Sequence, residues 1–282
     1  MEKRILTIQD ISCVGQCSLT VALPIISACG IETAILPTAV LSTHTAGFKG
    51  FTVLPMTDEF PKIAKHWEKE NIAFDCVYTG YILKDQMQIV DEIIKNFNKG
   101  LKIIDPVMAD NGEFYYGFDE NFAAEMANLC VEADVILPNL TEAAFLLGEK
   151  PVLCGYDEAY VEGLLERLYK KLKVKEIVLT GVSYDKDKLG VTVFDGESVK
   201  YYFSEKIKRN FHGTGDIYSS AFTGALLNGL SVFDSAKIAV DFTVDSMRRT
   251  LDFADEHGYG VFFEQALPGL INQIKTRKGA KQ

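Results

Sequence analysis

The chain is poor in several things that whole functional classes require. Only four of its 282 residues are histidine (His44, His66, His212, His257), and none falls in an H-E-x-x-H spacing. Its six cysteines (Cys13, Cys17, Cys29, Cys76, Cys130, Cys154) are scattered with no C-x-x-C pair. Neither a zinc site nor a disulfide framework is expected, and most of the cysteines read as small buried hydrophobes. A transition-metal enzyme is therefore disfavoured. No uninterrupted apolar run approaches the ~20 residues needed to span a bilayer, and the start, Met1-Glu2-Lys3-Arg4-Ile5-Leu6, meets Gln9-Asp10 too soon for a signal peptide. No membrane partner is expected, and the localisation expected is cytoplasmic. No long Lys/Arg block offsets the acidic balance, 39 acidic against 29 basic side chains for a net charge of −10, so nucleic acid is not an expected partner. There is no G-x-x-x-x-G-K-[ST] and no G-x-G-x-x-G after the first strand, which removes support for a P-loop or an ordinary dinucleotide fold. Nor is there a Pro/Gly/Ser-rich linker or an internal repeat, so residues 1–282 read as one domain.

What is present is a series of short apolar runs that stop at a polar residue, Gly or Pro. They are Ile5–Ile8 into Gln9-Asp10, Phe74–Tyr78 into Thr79-Gly80, Leu101–Ile104 into Asp105-Pro106, Val135–Leu137 into Pro138-Asn139, and Ile177–Leu179 into Thr180-Gly181. Runs of this length and β-branched content suit strands buried on both faces. Between them lie helical patterns over 57–70, 84–98, 118–129, 156–173 and 232–250. In the second of these, Met87, Val90, Ile94 and Phe97 recur at helical spacing and Gly100 follows as a stop. Strand then helix, repeated, predicts an α/β fold with a mainly parallel sheet covered on both sides. Residues 189–194 and 198–203 predict a β-hairpin that adds antiparallel edge strands. The basic end, 275–282, reads as a frayed tail.

In such a sheet, ligands gather at the carboxyl ends of the strands. Asp10, Thr79, Asp105, Asn139 and Thr180 all fall there. The strongest local signal is Phe211-His212-Gly213-Thr214-Gly215-Asp216, running into the small-residue-rich apolar stretch 217–227. Glycines before a buried helix let backbone N–H groups converge at its positive end, which makes an anion hole. An acid in the first turn is by itself only a good dipole partner. Beside a phosphate-sized anion hole it can also take a proton from an alcohol while the hole stabilises a transferring phosphoryl group.

At this point the sequence resembles a known family. Gly213-Thr214-Gly215-Asp216 after alternating strands and helices is similar to the ribokinase-like superfamily of small-molecule kinases. Ile103–Asp110 resembles the D-P-V-M/L-x-D segment of its vitamin kinases, Pro138–Glu142 their P-N-x-x-E motif, and Leu41–Thr45 the F-S-N-H-T segment of pyridoxal kinases. The match runs from about residue 4 to residue 250 and points to the pyridoxal/pyridoxamine kinase branch, with hydroxymethylpyrimidine kinases as close relatives.

The resemblance implies a three-layer α/β/α fold, ATP as co-substrate, Mg²⁺, a monovalent cation such as K⁺, and a homodimer. It also implies phosphorylation of the hydroxymethyl group of a B6 vitamer. Asp216 is then the general base and Gly213, Thr214 and Gly215 the anion hole. Glu142, Asp105 and Asp110 lie about the Mg²⁺, largely through water. Asp105, Asn139, Thr180 and Gly181 lie along the nucleotide, as does the segment 208–212. Asp10, Cys17, His44, Thr45 and Tyr115 lie on the substrate side, with Tyr116 a one-residue alternative to Tyr115. Asp10 stands where the family usually carries Ser, so an acid there pairs with a cationic nitrogen or caps a turn. Other readings remain open for several of these residues: Asp105-Pro106 as a turn, Asn139 and Glu142 as a helix cap, His44 as structural and Cys17 as inert. Hydroxymethylpyrimidine kinase and a non-catalytic vitamer-binding module stay as rival functions.

Overall fold

The computed structural model describes residues 3–45, 47–253 and 258–279. The chain opens with β1 (Arg4–Ser12), which α1 (Leu19–Ala28) carries to β2 (Glu32–Leu41). A short β3 (Val53–Pro55) turns back along β2, and α2 (Phe60–Lys69) leads into β4 (Phe74–Thr79). Then come α3 (Met87–Phe97), β5 (Asn98–Ile104) and a small antiparallel pair, β6 (Ala109–Asp110) with β7 (Glu113–Phe114). α4 (Glu120–Cys130) reaches β8 (Val135–Ile136), and α5 (Leu140–Leu147) and α6 (Glu158–Leu172) reach β9 (Glu176–Val182). The chain finishes with β10 (Lys188–Phe194), β11 (Val199–Glu205), α7 (Thr214–Leu227), α8 (Val232–Thr250) and α9 (Leu267–Gly279).

Among the described residues the central sheet has nine strands in the order β11-β10-β9-β8-β5-β4-β1-β2-β3. The six from β9 to β2 run parallel, while β3, β10 and β11 are antiparallel additions at the two edges. Successive strand residues point to opposite faces, and here both faces are apolar. Leu6, Ile8, Val77, Ile104, Ile136 and Leu179 meet one core with Phe60 of α2, Val90 of α3, Phe122 of α4 and Leu164 of α6. Ile5, Tyr78, Ile103, Val135 and Val178 meet the other, with Val21 of α1, Phe222 of α7, Phe242 of α8 and Leu270 of α9. The fold is the α/β sandwich with antiparallel edges that the strand and helix patterns predict.

α7 is the central helix of the second core. Residues from Ile217 to Ala225 are all buried, as expected of a helix with no polar stripe. Its small side chains let α1 approach closely: a Cβ on Gly224 would stand 2.6 Å from Cys29 Sγ.

Two expectations are corrected. Gly100 does not end a helix: α3 stops at Phe97 and Asn98 already pairs with Phe74, so Gly100 lies inside β5. The missing side chain serves a close approach, since a Cβ there would come 1.9 Å from the Asp75 carbonyl oxygen. Residues 275–279 are not frayed: they complete α9, where Ile274 is buried and Arg277 pairs with Asp234 of α8 at 3.0 Å. Residues 280–282 of that expected tail fall outside the described residues.

The Gly100 contact sets a measurable cost. Gly100→Ala forces the β4–β5 backbones apart and is expected to lower unfolding free energy by roughly 1–3 kcal/mol, the usual cost of overpacking. A urea melt with an unchanged midpoint would contradict this.

Candidate active site

Strands β1 and β4 are neighbours, yet α1 leaves β1 towards one core and α3 leaves β4 towards the other. That divergence opens a crevice at their carboxyl ends, the place where ligands bind in open α/β sheets. Asp216, Asp105, Glu142 and Asp10, from four parts of the chain, meet around it.

The first is Asp216, in the opening turn of α7. The helix starts at Gly213, which has φ 76° and would place a Cβ 1.9 Å from the Gln16 carbonyl oxygen. Both the left-handed backbone and the close approach require glycine. Because Gly213 has no side chain to cap the helix, the first N–H groups of α7 remain available to a ligand. Gly215 has open space where a Cβ would stand. Asp216 Oδ2 accepts the Ser18 N–H at 3.0 Å, and Ser18, at φ 54°, is itself in the left-handed region at the start of α1. Burial pushes the Asp216 pKa up to about 7, with the Ser18 N–H drawing it down and the charge of Asp10 adding to the rise.

Asp105 follows β5 and is only 6% exposed. Its Oδ2 accepts the Ser219 hydroxyl at 2.7 Å, and burial lifts its pKa to about 8, against the pull of Ser219 and with a further push from Asp216. Glu142, 4% exposed, is held by the chain itself. Asn139 and Glu142 form a reciprocal cap on α5: Asn139 Oδ1 accepts the Glu142 N–H at 2.9 Å and Glu142 Oε2 accepts the Asn139 N–H at 2.9 Å. The other carboxylate oxygen accepts the Met108 N–H at 3.1 Å, while Asn139 Nδ2 donates to the Ala109 carbonyl at 2.8 Å. Burial first, and Asp105 second, hold the Glu142 pKa well above the usual carboxylate range. The helix-cap alternative for this pair is thus realised, and the cap fixes a buried carboxyl beside Asp105.

Asp110 and Tyr115 ride on the β6–β7 flap. Asp110 is exposed and holds the turn by accepting the Asn111 N–H at 2.8 Å. The Tyr115 N–H donates to the Met108 carbonyl at 2.9 Å, and its phenol is pushed up by burial and by Glu142, Asp110, Asp216 and Asp105. Tyr116 is 88% exposed and Tyr115 41%, with the charges of the acids acting on the Tyr115 phenol. Thr45 and Tyr115 share the lining of an open cleft of about 650 Å³ with Gly50, Phe51, Phe114 and Tyr116. Thr180 bridges to Asn139 across the sheet end, with its N–H on the Pro138 carbonyl at 2.9 Å, and Gly181 follows at φ 75°.

Cys17 lies against the start of α7, its Sγ 3.3 Å from where a Gly213 Cβ would be. Burial, then the charges of Asp216 and Asp10, raise its pKa well above the ordinary thiol value, so it stays a neutral thiol. His44 is buried and set among loops: Nε2 is 3.0 Å from the Tyr259 carbonyl, and its ring fills the space a Gly15 side chain would need. The same carbonyl accepts the Gln16 N–H at 3.2 Å, and Gln16 Nε2 donates to Glu264 at 2.8 Å. The segment 259–264 therefore braces the loop whose Gln16 and Ser18 contact Gly213 and Asp216. His212, just before Gly213, is exposed, and its ring stands 5.5 Å from the His44 ring.

Sequence reasoning missed Ser18, Ser219 and the Tyr259 carbonyl. Ser219 had a signal, since it stands three residues after Asp216 on one helix face. The other two act through backbone atoms, which no side-chain pattern marks.

The chain is similar to several known proteins. A crystal structure from Bacteroides thetaiotaomicron, of a protein assigned as a phosphomethylpyrimidine kinase and in a form with pyridoxal, is 35% identical. Its TM-score is 0.89 over 96% of each chain. The pyridoxal kinase of Dictyostelium discoideum is 28% identical over 245 residues, 79% of this chain and 78% of its own. An enzyme of Oryza sativa subsp. japonica assigned as a chloroplastic bifunctional enzyme of thiamine biosynthesis is 24% identical over 234 residues, and this chain spans 42% of its length. The family model described as phosphomethylpyrimidine kinase matches residues 22–260, and the chain belongs to that family.

Proposed function

We propose that this kinase transfers the γ-phosphoryl group of ATP to the hydroxymethyl group of a B6 vitamer (pyridoxal, pyridoxine or pyridoxamine), giving the 5'-phosphate and ADP. The observation that carries the reading is Asp216: a carboxyl with a pKa of about 7, held by the Ser18 N–H beside the uncapped start of α7. A base poised near neutrality takes a proton efficiently at working pH. The relative with pyridoxal in its crystals and the pyridoxal kinase of Dictyostelium discoideum supply the substrate class.

In this reading, Asp216 accepts the hydroxyl proton as the oxygen forms its bond to the γ-phosphorus. The bond from that phosphorus to the bridging oxygen breaks, and ADP leaves with the electron pair. The N–H groups of Gly213, Thr214 and Gly215 hold the charge that gathers on the equatorial oxygens. Asn139, Thr180 and Gly181 border the nucleotide, and the cleft of Thr45 and Tyr115 takes the ring side of the substrate. His44 acts from behind by bracing the loops.

The acids fit Mg²⁺. Among the described residues no three His, Cys, Asp or Glu side chains close into a protein-only cage, and Mg²⁺ usually keeps several of its waters. Asp105 and Glu142 are two buried carboxyls, both raised chiefly by burial, and the charge of Asp105 adds to the rise at Glu142. They would hold Mg²⁺ through water, with Asp110 near by. When bound, Mg²⁺ neutralises phosphate charge. The reading also includes a monovalent cation such as K⁺, a homodimer and a cytoplasmic enzyme. In its support, no helix among the described residues is long and apolar enough to cross a membrane. The family model's own description and the rice relative favour one second reading, a hydroxymethylpyrimidine kinase of thiamine biosynthesis.

Coupled ADP release with the three vitamers and hydroxymethylpyrimidine separates the two readings. Turnover confined to hydroxymethylpyrimidine would overturn the first. Asp216→Asn keeps the fold and is expected to lose roughly 10²–10⁴ in kcat, the usual worth of a positioned base; full turnover in that variant would remove Asp216 from the mechanism.

The same acids give a stability signature. Asp216 and Asp105 have folded-state pKa values of about 7 and about 8, above the ~3.9 of an unfolded Asp. The folded protein therefore binds more protons than the unfolded chain. The stability this confers is full below the unfolded value and is lost as pH rises through 7 to 8. Asp105→Asn should remove part of that loss. Without metal its Tm is expected to exceed wild type increasingly from pH 5 to about 8 and to level off above that, by roughly 2–4 °C for each kcal/mol relieved. A Tm difference that shrinks as pH rises would contradict the assignment.

A further inference from the structure

Behind the acids, on the α7 side of the sheet, lies a phenol that the proposed reaction does not use. Tyr78 is the penultimate residue of β4 and sits in mid-sheet, opposite Thr7 of β1 and Ile103 of β5. Strand alternation aims its ring at α7, where it joins the second core with Ile217 and Phe222. It is fully buried, and its hydroxyl has no partner of ordinary hydrogen-bond geometry among the described residues. An ordinary core would carry Phe there, because an unpaired buried hydroxyl is a net cost.

The polar groups around that phenol are the Ser219 and Ser220 hydroxyls, and the charges of Asp105 and Asp216 both reach it. Each seryl hydroxyl has one proton to give, and each has already committed it. Ser219 donates to Asp105 Oδ2 at 2.7 Å, and Ser220 donates to the Asp216 carbonyl at 2.5 Å. What remains on both seryl oxygens is acceptor capacity. The Tyr78 O–H, which burial keeps protonated, is the donor beside them, and a small adjustment brings it onto either oxygen. The chain then runs from β4 to Asp105 through Ser219, and to the backbone of Asp216 through Ser220, with each bond polarising the next.

We infer that Tyr78 is a positioning residue: its hydroxyl, acting through Ser219 and Ser220, ties the first turns of α7 to the end of β5 and so fixes Asp216 relative to Asp105. The effect on turnover rests on the kinase reading of Asp216. The effect on the helix does not.

The test compares the full chain as wild type, Tyr78→Phe, Ser219→Ala and the double variant, by ADP release, thermal melting and amide hydrogen exchange. Tyr78→Phe keeps the ring and removes only the hydroxyl, so its Tm is expected to equal or exceed that of wild type. Its kcat is expected to fall roughly 3–10-fold, the worth of one hydrogen bond, with KM for vitamer and MgATP within about twofold of wild type. The amides of residues 217–220 should exchange about 3–10-fold faster, while those of β4 and β5 keep their wild-type rates. Ser219→Ala should lose at least as much turnover, since it removes the Asp105 contact as well. The double variant should lose clearly less than the product of the single losses, because both substitutions break one chain. Full kcat in Tyr78→Phe, unchanged exchange at 217–220, or single losses that multiply in the double variant would each overturn the inference. If Tyr78→Phe does not fold, full turnover or unchanged exchange in Ser219→Ala does the same. If wild type releases no ADP with any vitamer or with hydroxymethylpyrimidine, the kinase reading falls, and the exchange rates alone decide whether Tyr78 holds the helix.

Discussion

The site depends on one close approach, that of the α7 start to the loop between β1 and α1. Gly213 lies so near the Gln16 carbonyl that any side chain would collide with it. Two residues on, Ser18 turns its N–H onto Asp216. Helix α7 is buried on nearly every side against α1 and α8, so its first turn cannot drift. The segment 259–264 closes the arrangement from behind, through the Tyr259 carbonyl and Glu264. Packing thereby sets the first turn of α7 and the Asp216 carboxyl in place, and in the proposed function that is the positioning catalysis requires.

Around that contact the molecule collects acids. Asp10, Asp105 and Glu142 are nearly inaccessible, and Asp216 is partly so. Their pKa values are all raised, in each case chiefly by burial. The fold tolerates them through donors it already owns: Ser219, Ser12, and the backbone N–H groups of Ser18, Met108 and Asn139. What those donors do not supply is positive charge. In the proposed function a chain of net charge −10 receives an anionic nucleotide because a helix dipole, backbone amides and Mg²⁺ would meet the phosphates. Asp105 and Glu142 would, in the same reading, hold the metal through water.

Much of this was legible in the sequence, for physical reasons. β4, β5, β8 and β9 each contain a short apolar run, and these runs announce themselves and the polar residues at their ends. The hairpin of β10 and β11 was visible in Asp195-Gly196, where the Asp195 carboxylate accepts the Glu197 and Ser198 N–H groups at 3.0 and 2.7 Å. β2 was not read, because Pro37 interrupts it and several of its side chains are only half-buried. α1 carries Pro24 inside it, and α5 is eight residues long, too short for a periodic signal. In the site, the Gly213–Asp216 run and the Asn139–Glu142 pair were evident from spacing. The bracing role of His44 was not, since its partner is a carbonyl 215 residues away. The slip in register between β1 and β2 at Asp10 was equally hidden, because register belongs to the pairing and not to either strand alone.

The central claim is that burial holds Asp216 as a base whose proton is exchanged near neutrality. The most direct measurement is the pH dependence of kcat/KM for the vitamer that is turned over, followed from pH 5 to 9 at saturating MgATP. The account predicts a limb that rises about tenfold per unit at low pH and levels off near pH 7, where Asp216 becomes ionised. A flat profile down to pH 5, as an exposed carboxylate would give, would contradict it.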